Sequence, residues 1–166
     1  MKKLYLVRHA KSSWDHDGVH DMDRPLKGRG ITDAYETAQH LMRHGEVAQR
    51  MFSSPATRAL HTALIFAREM NYPFNEIEIV PALYECRPDD LAKQARSIPD
   101  TVEVAMIFGH NPAITTFVNQ CIAHHIDNVP TTGVACLRFE IDRWADLDNR
   151  AELVFFDYPK RRRNPS

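Results

Sequence analysis

The sequence of 166 residues lacks several features that would assign it to other classes of protein. It has no excess charge of one sign, because 21 Lys and Arg oppose 22 Asp and Glu, which argues against nucleic acid or a membrane surface as its main partner. No run of apolar residues approaches the length of a transmembrane helix. Its three cysteines, Cys86, Cys121 and Cys136, are widely spaced and form no CxxC or Cys/His metal pattern. We therefore expect reduced thiols rather than a disulfide framework.

We also expect no secretory signal at the N-terminus. Only four apolar residues separate Met1-Lys2-Lys3 from Arg8, which is too few for the apolar core of a signal peptide. We expect a cytoplasmic protein. The length and the 43% hydrophobic content are typical of one globular domain, which we place at residues 1–160. The basic run at 160–163 leads us to expect a solvated, frayed tail over residues 161–166.

Strand patterns alternate with helical patterns along the chain, which predicts an α/β layered fold. Strands are predicted at residues 4–8, 51–52, 77–80, 104–108, 134–141 and 153–156, and helices at 30–44, 54–70, 88–98 and 111–121. Two of the helices are expected to start at a capping residue followed by proline, Ser54-Pro55 and Asn111-Pro112. We predict a single-domain, three-layer α/β sandwich with a mostly parallel central sheet and the last two strands at one side of it.

Two of the predicted strands run directly into a histidine. The first ends at Arg8-His9, and the strand at 104–108 is followed by Gly109-His110. In open α/β sheets, ligands bind at the carboxyl ends of the strands. A third basic side chain, Arg58, lies in the first turn of the helix that follows Ser54-Pro55. The combination predicts a site that holds and attacks an anion.

Phosphoryl transfer is the chemistry that suits these residue types. Arginine can bind two phosphate oxygens at once, and helix N-termini add backbone N–H donors. Neutral histidine can be phosphorylated directly, which divides one difficult displacement into two easier ones. Nearby arginines would lower the pKa of His9 and keep it unprotonated. His110 could then donate to the phosphate.

Three ordered motifs carry a resemblance to a known family. They are RHAKSSW at residues 8–14, SSPATR at 53–58 and GHNP at 109–112, with DRPL at 23–26 and FDYPK at 156–160 in support. The combination resembles the histidine phosphatase superfamily and, within it, the short SixA-type phosphohistidine phosphatases. The resemblance spans essentially the whole chain and implies a phosphoglycerate mutase-like fold. Many relatives have Arg-His-Gly where this chain has Ala10, a change that we expect to be tolerated.

The resemblance implies a role for each matching residue. His9 would be the phosphorylated nucleophile, and Arg8, Arg58 and His110 would form the phosphate pocket around it. The implied substrate-binding set also includes two loop residues, Ser12 and Arg24. The general acid varies across the superfamily and is often absent in the SixA branch. Glu85 is the candidate acid in this chain, although a surface carboxylate is an equal interpretation.

The resemblance implies neither a metal nor another cofactor. His40 and His44 have the i, i+4 spacing of metal ligands, but no carboxylate completes a ligand motif, and we interpret them as a solvated helix face.

Three functions remain open at this stage. The preferred one is hydrolysis of phosphohistidine on a signalling protein by a monomeric enzyme. The imidazole of phosphohistidine is a leaving group that does not need a strong acid. The short chain also has little sequence between the motifs for a cap over the pocket, and an open pocket can admit a phosphorylated side chain of another protein. The alternatives are a small-molecule phosphomonoesterase that uses Glu85 as its acid, and a non-catalytic module that binds phosphorylated partners.

Overall fold

Six strands form the central sheet of the computed structural model, which describes residues 1–163. They are β1 (Lys2–Arg8), β2 (Arg50–Ser53), β3 (Glu78–Ile79), β4 (Val104–Gly109), β5 (Val134–Phe139) and β6 (Glu152–Asp157). Their order across the sheet is β3-β2-β4-β1-β5-β6. The first four in this order are parallel, whereas β5 is antiparallel to both β1 and β6. The predicted α/β architecture, with a mostly parallel sheet and the last two strands at one side, is confirmed.

Helices cover both faces of the sheet. They are α1 (Gly28–Arg43), α2 (Thr57–Glu69), α3 (Pro88–Arg96), α4 (Ala113–Cys121) and a short α5 (Pro159–Arg163). Alternate residues of β1 enter different cores: Leu4 and Leu6 pack in the core that includes α3 and α4, while Tyr5 and Val7 pack in the core that includes α1 and α2. A strand covered on both faces needs apolar residues at every position, which explains the unbroken apolar run of β1.

Two predicted helix starts are displaced. Helix α2 begins at Thr57 with Ala56 at its N-cap, and α4 begins at Ala113 with Pro112 at its N-cap. The two predicted capping residues make different contacts, and only Ser54 closes a turn before its helix. Ser54 Oγ accepts the Ala56 N–H at 3.2 Å. Asn111 Oδ1 accepts the Thr115 N–H at 3.2 Å, so Asn111 caps the first turn of α4 although it lies one residue before the N-cap position.

The C-terminal basic residues differ from the expected frayed tail. Residues 161–163 belong to α5, which packs against α1. Arg162 pairs with the buried carboxylate of Asp157 and also donates to Thr37. Arg163 Nη1 donates to Asp33 Oδ1 at 2.9 Å. Buried carboxylates on α1 and β6 thus hold these guanidinium groups, while residues 164–166 of the expected tail lie outside the described residues.

Several compositional expectations can be compared with the structure. Cys86, Cys121 and Cys136 are unpaired. Between residues 1 and 163, no helix is long and apolar enough to cross a membrane. The rings of His40 and His44 have centroids 4.5 Å apart and planes tilted by 47°, but over the same residues no three His, Cys, Asp or Glu side chains are grouped to hold a metal ion.

At the start of α1, Gly30 lies against the backbone of Lys11, in the segment that follows His9. This close approach predicts that substitutions at Gly30 and at Gly28 differ in their effect on stability. A Cβ at Gly30 would lie 2.2 Å from the Lys11 carbonyl oxygen, whereas a Cβ at Gly28 would meet nothing within 4 Å. We expect Gly30→Ala to lower the free energy of unfolding by about 2–3 kcal/mol, because backbone must move to admit the methyl group. Gly28→Ala should change it by less than about 1 kcal/mol. Urea denaturation of both variants checks this, and equal stabilities would contradict the close approach.

Candidate active site

The strand register brings the two predicted histidines to the same edge of the sheet. Strand β4 lies between β2 and β1, and all three run in the same direction. Arg8 is opposite Gly109, and the His9 N–H donates to the Gly109 carbonyl at 3.0 Å. The Ser54 N–H donates to the Phe108 carbonyl, also at 3.0 Å. These pairings place His9, His110 and Ser54 side by side at the carboxyl ends of the central strands.

His9 is buried, with 8% of its surface exposed, and its ring is held in one tautomer. Nδ1 lies 2.7 Å from the Ala10 carbonyl oxygen. A carbonyl can only accept, so Nδ1 carries the proton and the neutral ring has its free lone pair on Nε2. The backbone at Ala10 is itself fixed, because its N–H donates to Thr62 Oγ1 at 2.9 Å. Thr62 in turn donates to the Arg58 carbonyl at 2.7 Å, linking the two motifs.

The surroundings of His9 keep its imidazole neutral. Burial is the largest cause of a fall in its pKa from 6.5 to about 3, and the charges of His110, Arg58 and Arg8 lower the pKa further. The hydrogen bond to Ala10 acts in the opposite direction. The prediction that neighbouring arginines lower this pKa is confirmed in direction, but removal of the ring from water has the larger effect.

His110 faces His9 with its ring centroid 5.3 Å away. Its Nε2 lies 2.8 Å from Ser54 Oγ, which already accepts the Ala56 N–H. If the Ser54 hydroxyl donates its proton to Nε2, neutral His110 carries its own proton on Nδ1. Nδ1 is buried and has no hydrogen-bond partner within residues 1–163. Burial, and then the charge of Arg58, lowers the pKa of His110 to about 4.

Two guanidinium groups lie beside the histidines. Arg8 Nη1 donates to the Val129 carbonyl at 3.1 Å. Arg58 Nη1 donates to the Asp21 carbonyl at 2.7 Å, and its Nη2 donates to Asp21 Oδ2 at 3.0 Å. The Nε atoms of both arginines are buried and lack a partner in the described part of the chain. Buried polar groups in proteins are normally hydrogen-bonded, so unpartnered N–H donors on Arg8, Arg58 and His110 indicate a site for an anion.

The loop before β5 holds the backbone of the first motif. The Thr132 N–H is shared between the carbonyls of Arg8 and His9, at 3.1 Å from each. Thr132 has a φ of 60°, a left-handed conformation that is unusual for a β-branched residue. Strained backbone of this kind persists where the surrounding contacts over-determine it, and it is common at functional sites.

The predicted loop residues Ser12 and Arg24 form one rim of the site. Arg24 Nη1 donates to Ser12 Oγ at 2.9 Å and to the Ser13 carbonyl at 3.3 Å, and its Nε donates to Asp21 Oδ1 at 3.1 Å. The guanidinium also stacks on Trp14, with its central carbon 3.5 Å from the ring centroid. Trp14 is 76% exposed, so this rim presents a large aromatic surface to solvent.

Tyr84 and Glu85 lie on the other side of the site. The Tyr84 ring meets His110 edge to face at 5.8 Å, and its hydroxyl donates to Asp21 Oδ2 at 2.7 Å. This hydrogen bond is the main reason that the pKa of Tyr84 rises to about 12. Glu85 follows with a φ of 52°, and its side chain is exposed. It makes no side-chain hydrogen bond or ion pair within residues 1–163, so its role as an acid stays a prediction.

The structure therefore brings together four of the predicted residues and adds others that sequence reasoning missed. Arg8, His9, Arg58 and His110 share one site, Ser12 and Arg24 lie at its rim, and Glu85 lies outside its hydrogen-bond network. The missed residues are Asp21, Ser54 as the partner of His110, Thr62, Tyr84 and Thr132. Only Thr62 had a usable signal, since it lies four residues after Arg58 on the same face of α2.

Comparisons with known proteins agree with this geometry. A model of the histidine phosphatase superfamily (branch 1) matches residues 4–106. An uncharacterized protein of Mycobacterium leprae is 30% identical over 167 residues, covering 93% of this chain and 100% of that protein. One from Mycobacterium tuberculosis is 30% identical over 165 residues, with the same coverage of both chains. The chain therefore belongs to the histidine phosphatase superfamily.

Solved structures give the branch of the family. SixA of Agrobacterium tumefaciens, to which phosphohistidine phosphatase activity is ascribed, matches with a TM-score of 0.79 and 26% identity, over 95% of this chain and 98% of that one. A protein histidine phosphatase SixA in complex with tungstate matches with a TM-score of 0.81 over 95% and 97% of the two chains. At 19% identity, the second likeness concerns the fold alone. The chain is of the SixA type with a phosphoglycerate mutase-like fold, and these relationships support phosphatase activity.

The environment of His9 predicts an unusual titration. We expect its ring to stay neutral from pH 8 down to about pH 4.5, because burial and nearby positive charges oppose protonation. An ordinary histidine would be almost fully protonated at that pH. Nitrogen-15 NMR of histidine-labelled protein without substrate, with His9→Gln for assignment, should show a ring protonated on Nδ1. Titration of His9 near its ordinary pKa would contradict this prediction.

Proposed function

We propose that this protein is a phosphohistidine phosphatase that acts through a covalent phosphohistidine intermediate on His9. One observation carries the proposal. A buried, neutral imidazole with its lone pair on Nε2 adjoins Arg8, Arg58 and His110, each of which has a buried ring or guanidinium nitrogen without a partner among residues 1–163. A nucleophile and donors for an anion in one place suit phosphoryl transfer.

In the first step, the Nε2 lone pair of His9 attacks phosphorus. The bond from phosphorus to the leaving nitrogen breaks, and its electron pair departs with the substrate imidazole, which leaves as a neutral ring because its other nitrogen carries a proton. Arg8 and Arg58 neutralise the phosphoryl oxygens, and the Nδ1–H of His110 donates to one of them. In the second step, the oxygen of water bonds to phosphorus, the phosphorus–Nε2 bond breaks, and inorganic phosphate leaves while neutral His9 is regenerated.

The leaving group favours phosphohistidine over a phosphate ester. An alkoxide needs a proton from a positioned acid, which typically contributes about 10²–10⁴-fold to the rate. Glu85, the candidate acid, is exposed and makes no hydrogen bond within the described residues. An imidazole leaves more readily, so the site has less need of such an acid. The likeness to SixA of Agrobacterium tumefaciens supports the same substrate class.

The rim of the site supports a protein-borne substrate. Trp14 is 76% exposed beside Arg24, and exposed aromatic and arginine side chains are frequent anchors in protein interfaces. We therefore propose a phosphorylated signalling protein as the partner. We also propose that the enzyme is cytoplasmic, which the three unpaired cysteines support. We further propose that it is a monomer and that residues 1–160 carry every group of the reaction.

Substrate comparison tests the proposed function. Phosphate release should be rapid from a phosphohistidine-bearing protein and slow from p-nitrophenyl phosphate, and a chelator should not reduce it, since the proposed mechanism uses no metal. We expect His9→Ala to lower the rate by at least about 10³-fold, because the nucleophile is lost. His44→Ala, which removes an exposed histidine outside the site, should leave the rate unchanged.

Other outcomes of this experiment would redirect the assignment. Activity confined to the ester would favour a small-molecule phosphomonoesterase. Phosphate binding without turnover, and without acid-labile phosphorylation of His9, would favour a binding module. Loss of activity with chelator, restored by a divalent cation, would contradict metal independence.

Glu85→Gln tests the candidate acid. We expect phosphohistidine turnover to change by less than about 2-fold, because the imidazole leaving group has little need of a donated proton. Steady-state rates from pH 5 to 8 on both substrates check this. A large loss with both substrates would make Glu85 the general acid. The matched control is Glu78→Gln, on the edge strand β3.

A further inference from the structure

We propose that Asp21 is a positioning residue for the reaction, which holds Arg58 and Arg24 in place and competes with phosphate for them. The inference rests on the proposed function. Asp21 lies in the loop between β1 and α1, within a short 3₁₀ turn at Asp21–Asp23. Neither the composition nor the motif pattern marks it, and its importance follows from its contacts.

Asp21 receives hydrogen bonds from three side chains around the pocket. Its Oδ2 accepts from Arg58 Nη2 at 3.0 Å and from the Tyr84 hydroxyl at 2.7 Å. Its Oδ1 accepts from Arg24 Nε at 3.1 Å, and its backbone carbonyl accepts from Arg58 Nη1 at 2.7 Å. One carboxylate thus connects the helix that carries Arg58, the rim loop that carries Arg24 and the turn that carries Tyr84.

The contacts orient Arg58 in a particular way. A guanidinium has an end-on edge formed by Nη1 and Nη2 and a side-on edge formed by Nε and Nη2. Asp21 takes the end-on edge with its carbonyl and its carboxylate. The side-on edge keeps its Nε–H and one Nη2–H, and Arg58 Nε has no partner in residues 1–163. Fixing one edge fixes the direction of the other, so Asp21 determines how Arg58 meets a phosphoryl group.

The same carboxylate opposes a bound anion. Asp21 remains ionised, since hydrogen bonds from Tyr84 first, and then from Arg24 and Arg58, lower its pKa to about 2. Its side chain is 47% exposed at the mouth of the site. A fixed negative charge beside the arginines weakens ground-state binding of phosphate, while the geometry that it imposes benefits the transition state. Loss of this carboxylate should therefore lower kcat while it raises the affinity for phosphate.

Asp21→Asn tests the inference against Asp23→Asn, which removes the same charge two residues away. Asp23 is exposed and its side chain makes no hydrogen bond within the described chain. On a phosphohistidine-bearing protein we expect Asp21→Asn to lower kcat by roughly 10- to 100-fold, since a poorly placed guanidinium stabilises the transition state less well. Calorimetry with inorganic phosphate should show severalfold tighter binding, and Asp23→Asn should change neither quantity. Asp21→Glu, which keeps the charge, should recover part of kcat.

Two results would overturn the proposal. In the first, Asp21→Asn matches Asp23→Asn in both kcat and phosphate affinity. In the second, kcat and phosphate affinity fall together, as expected if Asp21 serves only to maintain the loop. A wild type without turnover on any phosphorylated substrate would refute the proposed function itself. Calorimetry would still decide the inference in that case, because unchanged or weaker phosphate binding by Asp21→Asn would overturn it.

Discussion

The hydrogen bond from the His9 N–H to the Gly109 carbonyl, 3.0 Å long, extends the parallel pairing of β1 and β4 beyond the last paired residues of the strands. The placement of the two histidines depends on that register. It places His9 next to His110, and the matching pairing of β2 with β4 adds Ser54 beside them. Because successive residues of a strand face opposite sides, a slip of one residue would turn the ring of one histidine away from the other.

The site is built at a cost to the stability of the fold. Two imidazoles are held neutral by burial, and buried nitrogen atoms of Arg8, Arg58 and His110 have no protein partner in the described chain. A buried donor without a partner lowers stability by about 1–3 kcal/mol. A phosphoryl group would supply acceptors for such donors, so the same atoms that destabilise the free protein would favour binding of the proposed substrate. The large apolar cores on the two faces of the sheet make this arrangement tolerable.

Sequence reasoning succeeded where the controlling interactions are local. The apolar runs at β1 and β4 and the helical spacing of α1 predicted their elements to within a few residues. It placed the starts of α2 and α4 too early, because Ser54 closes a turn before α2 and Asn111 caps α4 from one residue before the N-cap position. It missed α5 beyond residue 160, since a basic run has a partner only when buried carboxylates such as Asp33 and Asp157 are brought to it.

The sequence by itself determined the candidate nucleophile, the cations that we propose to bind phosphate and the positions of these residues at strand and helix ends. These follow from short motifs and from the alternation of apolar segments, which act over a few residues. Only the tertiary structure decided the tautomer of His9, the capture of Arg58 by Asp21 and the support of the first motif by Thr132. Arg58 and Asp21 are 37 positions apart, and a hydrogen bond at that separation forms only after packing has brought the loop of Asp21 against helix α2. Such contacts leave no periodic pattern in the chain, because they depend on angles and distances that the whole fold sets.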